Sequence, residues 1–543
     1  MTPALDNPFY YLANFQTVLS WVETRYHDLL SPQEAGFIGG FAELPQPSQA
    51  LLVRMIMRKG ELFRASRLQY EEIGESRMAA APLVEAGWID ARPLLPLPAL
   101  FGLLTKVELG QIFPTRKAAP KAEQLAELMA ANPDARVYAH WAPDSDDTIW
   151  QLCITELCER LRLMFFGNAY QDWTEFVLAD LGVFRYEKVA FPDAARAFQS
   201  RADVDDTLFL HRLRSDFDAG LPVYDLLPAT PYANAWIERR RAKLRFQVAR
   251  QLEQEGNLPA ALALYADCAY PGARQRRIRA LECSDAFAQA FALACAAAAA
   301  PESEAELQQL ARMLPRLRRK LGLPKAPSVS PATHEEIALC LARPAGDFFV
   351  EEVARAALCE AAGPVFYVEN TLLNSLFGLL CWEAVFSPQP GAFFHPFQQG
   401  PADLMAGDFY QRRAPLFEAC LGQLEDGRYV DTIRRHFQAK AGLQSPFVFW
   451  GALSEQLLEL ALLCIPPQHL RPCFERLLQD IKANRSGFPD LIQFWPQERR
   501  YRMIEVKGPG DRLQDNQLRL LAYCQAHAIP VAVCYLRWQE QLT

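Results

Sequence analysis

The sequence lacks most of the patterns that signal zinc, redox or membrane chemistry. Its eight histidines are scattered from His27 to His527, with no HxxxH pair and no His–Cys cluster, which argues against a zinc centre. The 13 cysteines include no CxxC pair, and the nearest two, Cys153 and Cys158, are spaced wrongly for a zinc knuckle. An odd number of scattered cysteines fits free thiols in a reducing compartment. The N-terminus has no basic region followed by an apolar stretch, so a secretory leader is not expected. No apolar run approaches the roughly 18 residues of a membrane span, and the alanine tract ending at Ala300 reads as a tightly packed helix. An overall positive charge is also missing. The formal net charge is −8, so any contact with a polyanion must come from local positive potential.

What the chain does have is length and apolar content. With 543 residues, half of them hydrophobic, it is too long for one core and is expected to form several domains. The 39 prolines predict short elements and punctuated loops. The predicted fold class is multidomain α + α/β, with mostly helical N-terminal and middle regions before a C-terminal α/β domain. Residues 1–90 read as a helical and then winged module, and 91–184 as a small helical region. Residues 185–325 read as a helical linker, and 326–543 as the α/β domain, entered through the Pro/Ser-rich stretch at 324–331.

Basic residues cluster at several places, among them a run at Arg316, Arg318, Arg319 and Lys320 that reads as solvated. Leu51, Leu52, Met55 and Ile56 mark an apolar helix face, and Arg54, Arg58 and Lys59 lie off that face. They read either as a solvated surface or as a phosphate-contacting helix. In the linker, Arg239, Arg240, Arg241, Lys243 and Arg245 form one cluster, and Arg274, Arg276, Arg277 and Arg279 form another directly after Pro271-Gly272. Arginine forks suit phosphate oxygens. Leu252, Gly256, Ala260, Ala261 and Tyr265 echo one tetratricopeptide-like unit, which by itself is not a repeat array. Between 93 and 113 the pattern is helix, link, helix, with Thr105 as a helix start; it is similar to a SAP-type DNA-binding unit.

The most informative segment is GFPDLIQFWPQERRYRMIEVKGPGDRLQDNQLRLL. Phe488–Trp495 and Tyr501–Val506 read as two strands of a hairpin, turned at Pro496-Gln497-Glu498. Asp490 and Glu505 then lie side by side at one end. Strand alternation places Glu505 and Lys507 on one face. Asp511 with Gln514 resembles a capping box, Leu518, Leu521 and Ala522 would give the next helix its apolar face, and Pro530–Leu536 reads as a third strand. Two carboxylates can hold a hard divalent cation, which polarises a phosphoryl oxygen and acidifies a bound water. A lysine beside them offsets developing charge. The competing reading is a surface hairpin with ion pairs. Strand context, the Gly508-Pro509-Gly510 loop and the capped helix favour metal-dependent phosphodiester hydrolysis.

This segment resembles the VRR-Nuc branch of the PD-(D/E)xK nucleases, in particular the bacterial type of the Fanconi-anaemia-associated nuclease family, through GFPDLIQFW, EVKGPGDRL and Gln517. ENTLLNSLFGLLCWEAVF from Glu369, FYQRRAPLFEACL, and LLVRMIMRKGELFRASRLQYEEI near the N-terminus are similar too. The resemblance implies Asp490, Glu505, Glu369 and the Val506 carbonyl as metal ligands, one or two Mg2+ or Mn2+ ions, and Lys507 as the catalytic lysine. Gln517 would support the site from the core helix. It also implies a structure-specific DNA nuclease, cutting 5′ flaps, degrading from 5′ ends and acting in interstrand-crosslink repair. The implied partner is branched or flapped double-stranded DNA with a 5′ phosphate, held by Arg274 and Arg276 as candidates. Asn516 stands where some relatives carry a basic residue. No zinc-binding ubiquitin module precedes the DNA-binding region, so a cytoplasmic, nucleoid-associated enzyme is expected, as against the nuclear location of eukaryotic relatives. A monomer on DNA is expected, with a dimer as the alternative. A Holliday-junction-resolving or restriction-type nuclease and a non-catalytic branched-DNA binder remain the competing readings.

Overall fold

The computed structural model describes residues 7–113, 120–168, 170–171, 184–325 and 334–539. The chain forms two compact units, Met1–Phe184 with Phe198–Phe209, and Arg185–Ala197 with Leu210–Thr543.

The first unit is helical with a small wing. Helices Tyr10–Tyr26, Pro32–Glu43 and Gln46–Ile56 precede a sheet in which Ile149–Leu152 lies between Leu62–Arg64 and Ile89–Asp90. Leu51, Leu52 and Met55 are fully buried, as their spacing predicts. The middle strand of the wing was not visible in the sequence, where all of 91–184 reads as a small helical region. It comes from about 60 residues beyond the rest of the wing, and local periodicity carries no signal for such distant pairing. Helix follows it at Thr155–Phe166, while 172–183 falls outside the described residues. The SAP-like stretch forms Leu97–Leu103 and Lys106–Ile112, and Thr105 and Glu108 close a reciprocal capping box.

The second unit contains five consecutive helices, Ala235–Gln254, Leu258–Ala266, Ala273–Cys283, Phe287–Ala299 and Glu304–Lys320. Gly256 at φ +84° turns the chain between the first two. The α/β region is built on a five-stranded mixed sheet, ordered Glu335–Leu341, Val531–Trp538, Arg500–Lys507, Leu491–Trp495, Val365–Tyr367. Val531–Trp538 runs parallel to both neighbours, whereas Leu491–Trp495 is antiparallel to both of its own. About 120 residues separate the edge strand Val365–Tyr367 from its partner, and most of them form helices. The ENTLLNSLFGLLCWEAVF segment forms two helices, Leu372–Leu380 and Trp382–Val385.

Side-chain alternation splits the sheet between two cores. Leu491, Ile504 and Val506 pack with Val365, Cys534 and Leu536 on one face. Ile492, Phe494, Tyr501 and Met503 pack into the large helical core on the other.

Candidate active site

On the second face the apolar alternation stops abruptly. Positions 492 and 494 are apolar, and the next in that series is Asp490. Positions 501 and 503 are apolar, and the next are Glu505 and Lys507. All three charged residues are buried, Asp490 at 8%, Glu505 at 3% and Lys507 at 8% exposure. Leu491 is registered opposite Ile504, so the same antiparallel register sets Asp490 opposite Glu505. Like charges in directly opposed positions repel, and here they do so away from bulk water.

Each acid is held by a specific donor. The Val506 backbone N–H donates to Asp490 Oδ2 at 2.8 Å. Lys507 Nζ donates to Glu505 Oε1 at 2.7 Å, and Gln517 Nε2 donates to the same oxygen at 2.5 Å. Glu369 follows the edge strand, where Val368 N–H donates to the Asp490 carbonyl at 2.8 Å, so it adjoins the Asp490 end of the sheet. The Tyr367 hydroxyl donates to Glu369 Oε2 at 2.5 Å. Asn370, at φ +52°, donates to Glu369 Oε1 at 3.2 Å and accepts from Phe488 N–H at 3.0 Å, tying the two segments together.

The electrostatics are those of a site short of positive charge. Burial pushes the Asp490 carboxyl up to about 7, reinforced by Glu505 and by the more distant Glu369 and Glu351, while the Val506 N–H pulls the other way. Glu505 is raised as well, by burial first, with Lys507 opposing and Glu369 and Glu351 adding to the rise. The Tyr367 hydroxyl is raised by its bond to Glu369. Four carboxylates thus act on one ammonium. A hard divalent cation, bound through oxygens, would relieve that imbalance, so the donor set fits such an ion. Among the described residues no three acidic, histidine or cysteine side chains already surround one point. Glu505 is drawn instead onto Lys507 and Gln517.

The helix after the Gly508-Pro509-Gly510 loop differs in register from expectation. It runs Asp515–Ala526, and its box is Gln514 with Gln517, whose Oε1 accepts the Gln514 N–H at 2.8 Å. Asp511 instead accepts the Gly508 N–H at 3.0 Å and closes the loop. The buried positions are Leu520, Leu521 and Cys524, while Leu518 is 39% exposed. With this register Gln517 reaches Glu505. Asn516 packs against Gly487, where a Cβ would lie 2.7 Å from its Nδ2.

The structure brings together Asp490, Glu505, Lys507, Val506 and Gln517, with Glu369 alongside. Glu351 and Tyr367 were missed. Tyr367 lies on an edge strand whose pairing partner is about 120 residues away in sequence, so no local pattern pointed to it. Glu351 lies in the first turn of the helix Val350–Leu358, where an acid is unremarkable in sequence. The basic candidates are placed differently. Arg54 is clamped between the rings of Tyr11 at 3.8 Å and Tyr70 at 4.7 Å and paired with Glu72 at 2.6 Å. Arg58 and Lys59 are exposed just beyond that helix. Arg274 bonds Glu306 at 2.8 Å, and Arg276 bonds Glu253 at 3.1 Å.

Comparisons with known proteins give the same picture. Family models described as "FAN1, HTH domain", "Fanconi anemia-associated nuclease SAP domain" and "VRR-NUC domain" match residues 9–90, 94–141 and 424–538. A "Fanconi-associated nuclease 1 homolog" of Pseudomonas aeruginosa is 56% identical, over 99% of this chain and 97% of that protein. A homolog from Oryza sativa subsp. japonica is 24% identical, over 96% of this chain and 62% of its own length. A solved structure of paFAN1 bound to 2-nucleotide 5′-flap DNA with a gap matches with a TM-score of 0.91 at 56% identity, covering 99% of this chain and all of that one.

Proposed function

Because this chain belongs to the Fanconi-associated nuclease family and is a DNA nuclease with a VRR-Nuc domain, we propose that it cuts 5′-flapped DNA near the junction and trims it from the 5′ end in interstrand-crosslink repair. VRR-Nuc nucleases depend on a divalent metal; Mg2+ or Mn2+ is our assignment here. The solved relatives bound to 2- and 1-nucleotide 5′-flap DNA support the substrate. The single observation that carries the chemistry is the buried, directly opposed Asp490–Glu505 pair with Lys507 as its counter-charge.

In this reading Asp490, Glu505, Glu369 and the Val506 carbonyl would hold the ion. When bound, such an ion polarises a phosphoryl oxygen and acidifies a coordinated water. The remaining work falls to the chain. Val506 N–H fixes Asp490 by one oxygen. Gln517 orients Glu505 and is itself held by the Gln514 N–H. Lys507, freed from Glu505, would place its ammonium against charge developing on the attacked phosphate. Arg274 and Arg276 could take a 5′ phosphate only by exchanging it for the carboxylates of Glu306 and Glu253. The working species is a monomer on one branched substrate. No helix among the described residues is long and apolar enough to cross a membrane.

The test compares cleavage of a labelled 5′ flap and an intact four-way junction with Mg2+, with Mn2+ and with chelator. Flap cleavage in either metal, lost on chelation, is expected. Symmetric cutting of the junction in preference to the flap would overturn the substrate assignment.

A further inference from the structure

Many arginines in the helical region are already paired with acids. Arg214, Arg239, Arg241, Arg274, Arg276, Arg279, Arg312 and Arg316 each pair with an acid. Two cations on the helix Ala235–Gln254 differ. Lys243 and Arg250 are exposed and have no acidic partner among the described residues. They belong to a stripe, Lys243, Phe246, Gln247, Arg250, Gln251 and Gln254, at the three- and four-residue spacing of one helix face. At a rise of about 1.5 Å per residue the stripe is roughly 16 Å long. It forms one wall of a groove of about 470 Å³, and Phe217 and Tyr270 line the rest.

No acid lines this groove. Of the acids near it in sequence, Asp218 pairs with Arg214 and Glu253 with Arg276, while Glu255 accepts a neutral amide bond from Gln251. The Phe246 and Tyr270 rings lie 4.9 Å apart at 33°, both half-buried. A third cation, Lys482, reaches the far side, 3.4 Å from the Tyr270 hydroxyl and 5.6 Å from its ring. Lys482 lies eight residues before Asp490, so the groove is linked to the cutting strand by a short segment.

We infer that this groove binds single-stranded DNA, with Lys243, Arg250 and Lys482 on phosphates and Tyr270 as a base-stacking surface. Free cations interleaved with aromatic rings and neutral amides are what a flexible polyanion with planar bases requires. A duplex backbone would use the cations but not the recessed rings. An acidic peptide would likewise leave the rings idle. The inference rests on the flap-nuclease reading and deepens it, since the unpaired strand would then be gripped away from the site of cutting.

The experiment uses the full chain in chelator, so that nothing is cut, with a duplex carrying either a one-nucleotide or a long thymidine flap. Fluorescence anisotropy reads affinity across a salt series. Lys243→Ala/Arg250→Ala is expected to weaken long-flap binding by about tenfold and to make the log–log salt slope shallower by about 1.4, the value for two single-strand phosphates. One-nucleotide-flap binding should stay near wild type. Tyr270→Leu, which keeps apolar bulk, should weaken long-flap binding without changing the slope. Equal losses on both substrates would assign the groove to duplex and overturn the inference. So would unchanged long-flap binding, or competition by polyglutamate as strong as by oligothymidine. Cleavage of the one-nucleotide flap by wild-type protein in Mg2+ is the separate control. Its failure would strike the nuclease reading rather than the groove.

Discussion

At the scale of single residues, the site is a balance between two buried acids and one lysine. Asp490 is held up to about 7, mainly by burial and then by Glu505, whereas in an unfolded chain it would titrate near 3.9. Below the unfolded value both states carry the proton and the acid imposes no penalty. As the pH rises through about 7 the folded protein must bury a charge, and stability is lost. Asp490→Asn, whose amide oxygen can still accept from Val506, is therefore expected to raise the metal-free Tm at pH 8, with the gap narrowing at pH 5. Added Mg2+ or Mn2+ should raise the wild-type Tm at pH 8 and leave the variant unmoved. Differential scanning fluorimetry at the two pH values reads both, and an Asn variant less stable at pH 8 would contradict the account. Gln517→Ala removes a donor to Glu505 and is expected to lower kcat by about ten- to a hundredfold while DNA affinity holds.

At the scale of elements, the hairpin and the helix after it are locked at close quarters. Gly487, at φ +90°, faces Asn516 across a gap that a Cβ would close to 2.7 Å. Gly487→Ala is expected to cost about 1–3 kcal/mol and to shift the start of the helix bearing Gln517. Its signature would be a drop in both Tm and cleavage, with Asn516→Gly restoring part of each by opening the gap. This part of the fold was legible in the sequence because it is local. Asp490, Glu505 and Lys507 break an alternating pattern that any strand must keep. The register of the helix was harder to read. Asp511 and Gln514 look like a cap, yet the box forms one turn later between Gln514 and Gln517, capping the N–H groups of those two residues, and only packing of Leu520 and Cys524 decides between them. The edge strand bearing Tyr367, about 120 residues upstream, and the wing strand Ile149–Leu152 were not legible, since their pairings depend on tertiary contacts. Charge clusters were legible as clusters but not as pairs. Arg274 and Arg276 have acidic partners within the chain, and those pairings are what set Lys243, already part of a cluster in the sequence, and Arg250 apart.

At the scale of the whole molecule, a chain of net charge −8 must bind DNA through local patches. Affinity for flapped DNA should then fall steeply with salt, by about three to five powers of ten between 50 and 200 mM if six to ten phosphates are contacted. A flat salt dependence would contradict that. The α/β region is also braced by a buried ion pair outside the site. Asp403 is fully buried and bonds both Arg412 and Arg413, with Arg413 lying over the Phe409 ring. Asp403→Ala strands a buried guanidinium and is expected to cost about 3–5 kcal/mol, which chemical denaturation would measure. The central claim, that Asp490, Glu505 and Lys507 cut the phosphodiester, is tested most directly by single-turnover cleavage of a 5′-flap substrate by Lys507→Ala in Mg2+, with DNA affinity measured in parallel. The account predicts a rate at least about a thousandfold lower, some 4 kcal/mol in barrier, with affinity within about twofold of wild type; cleavage at a near-wild-type rate by this variant would contradict it.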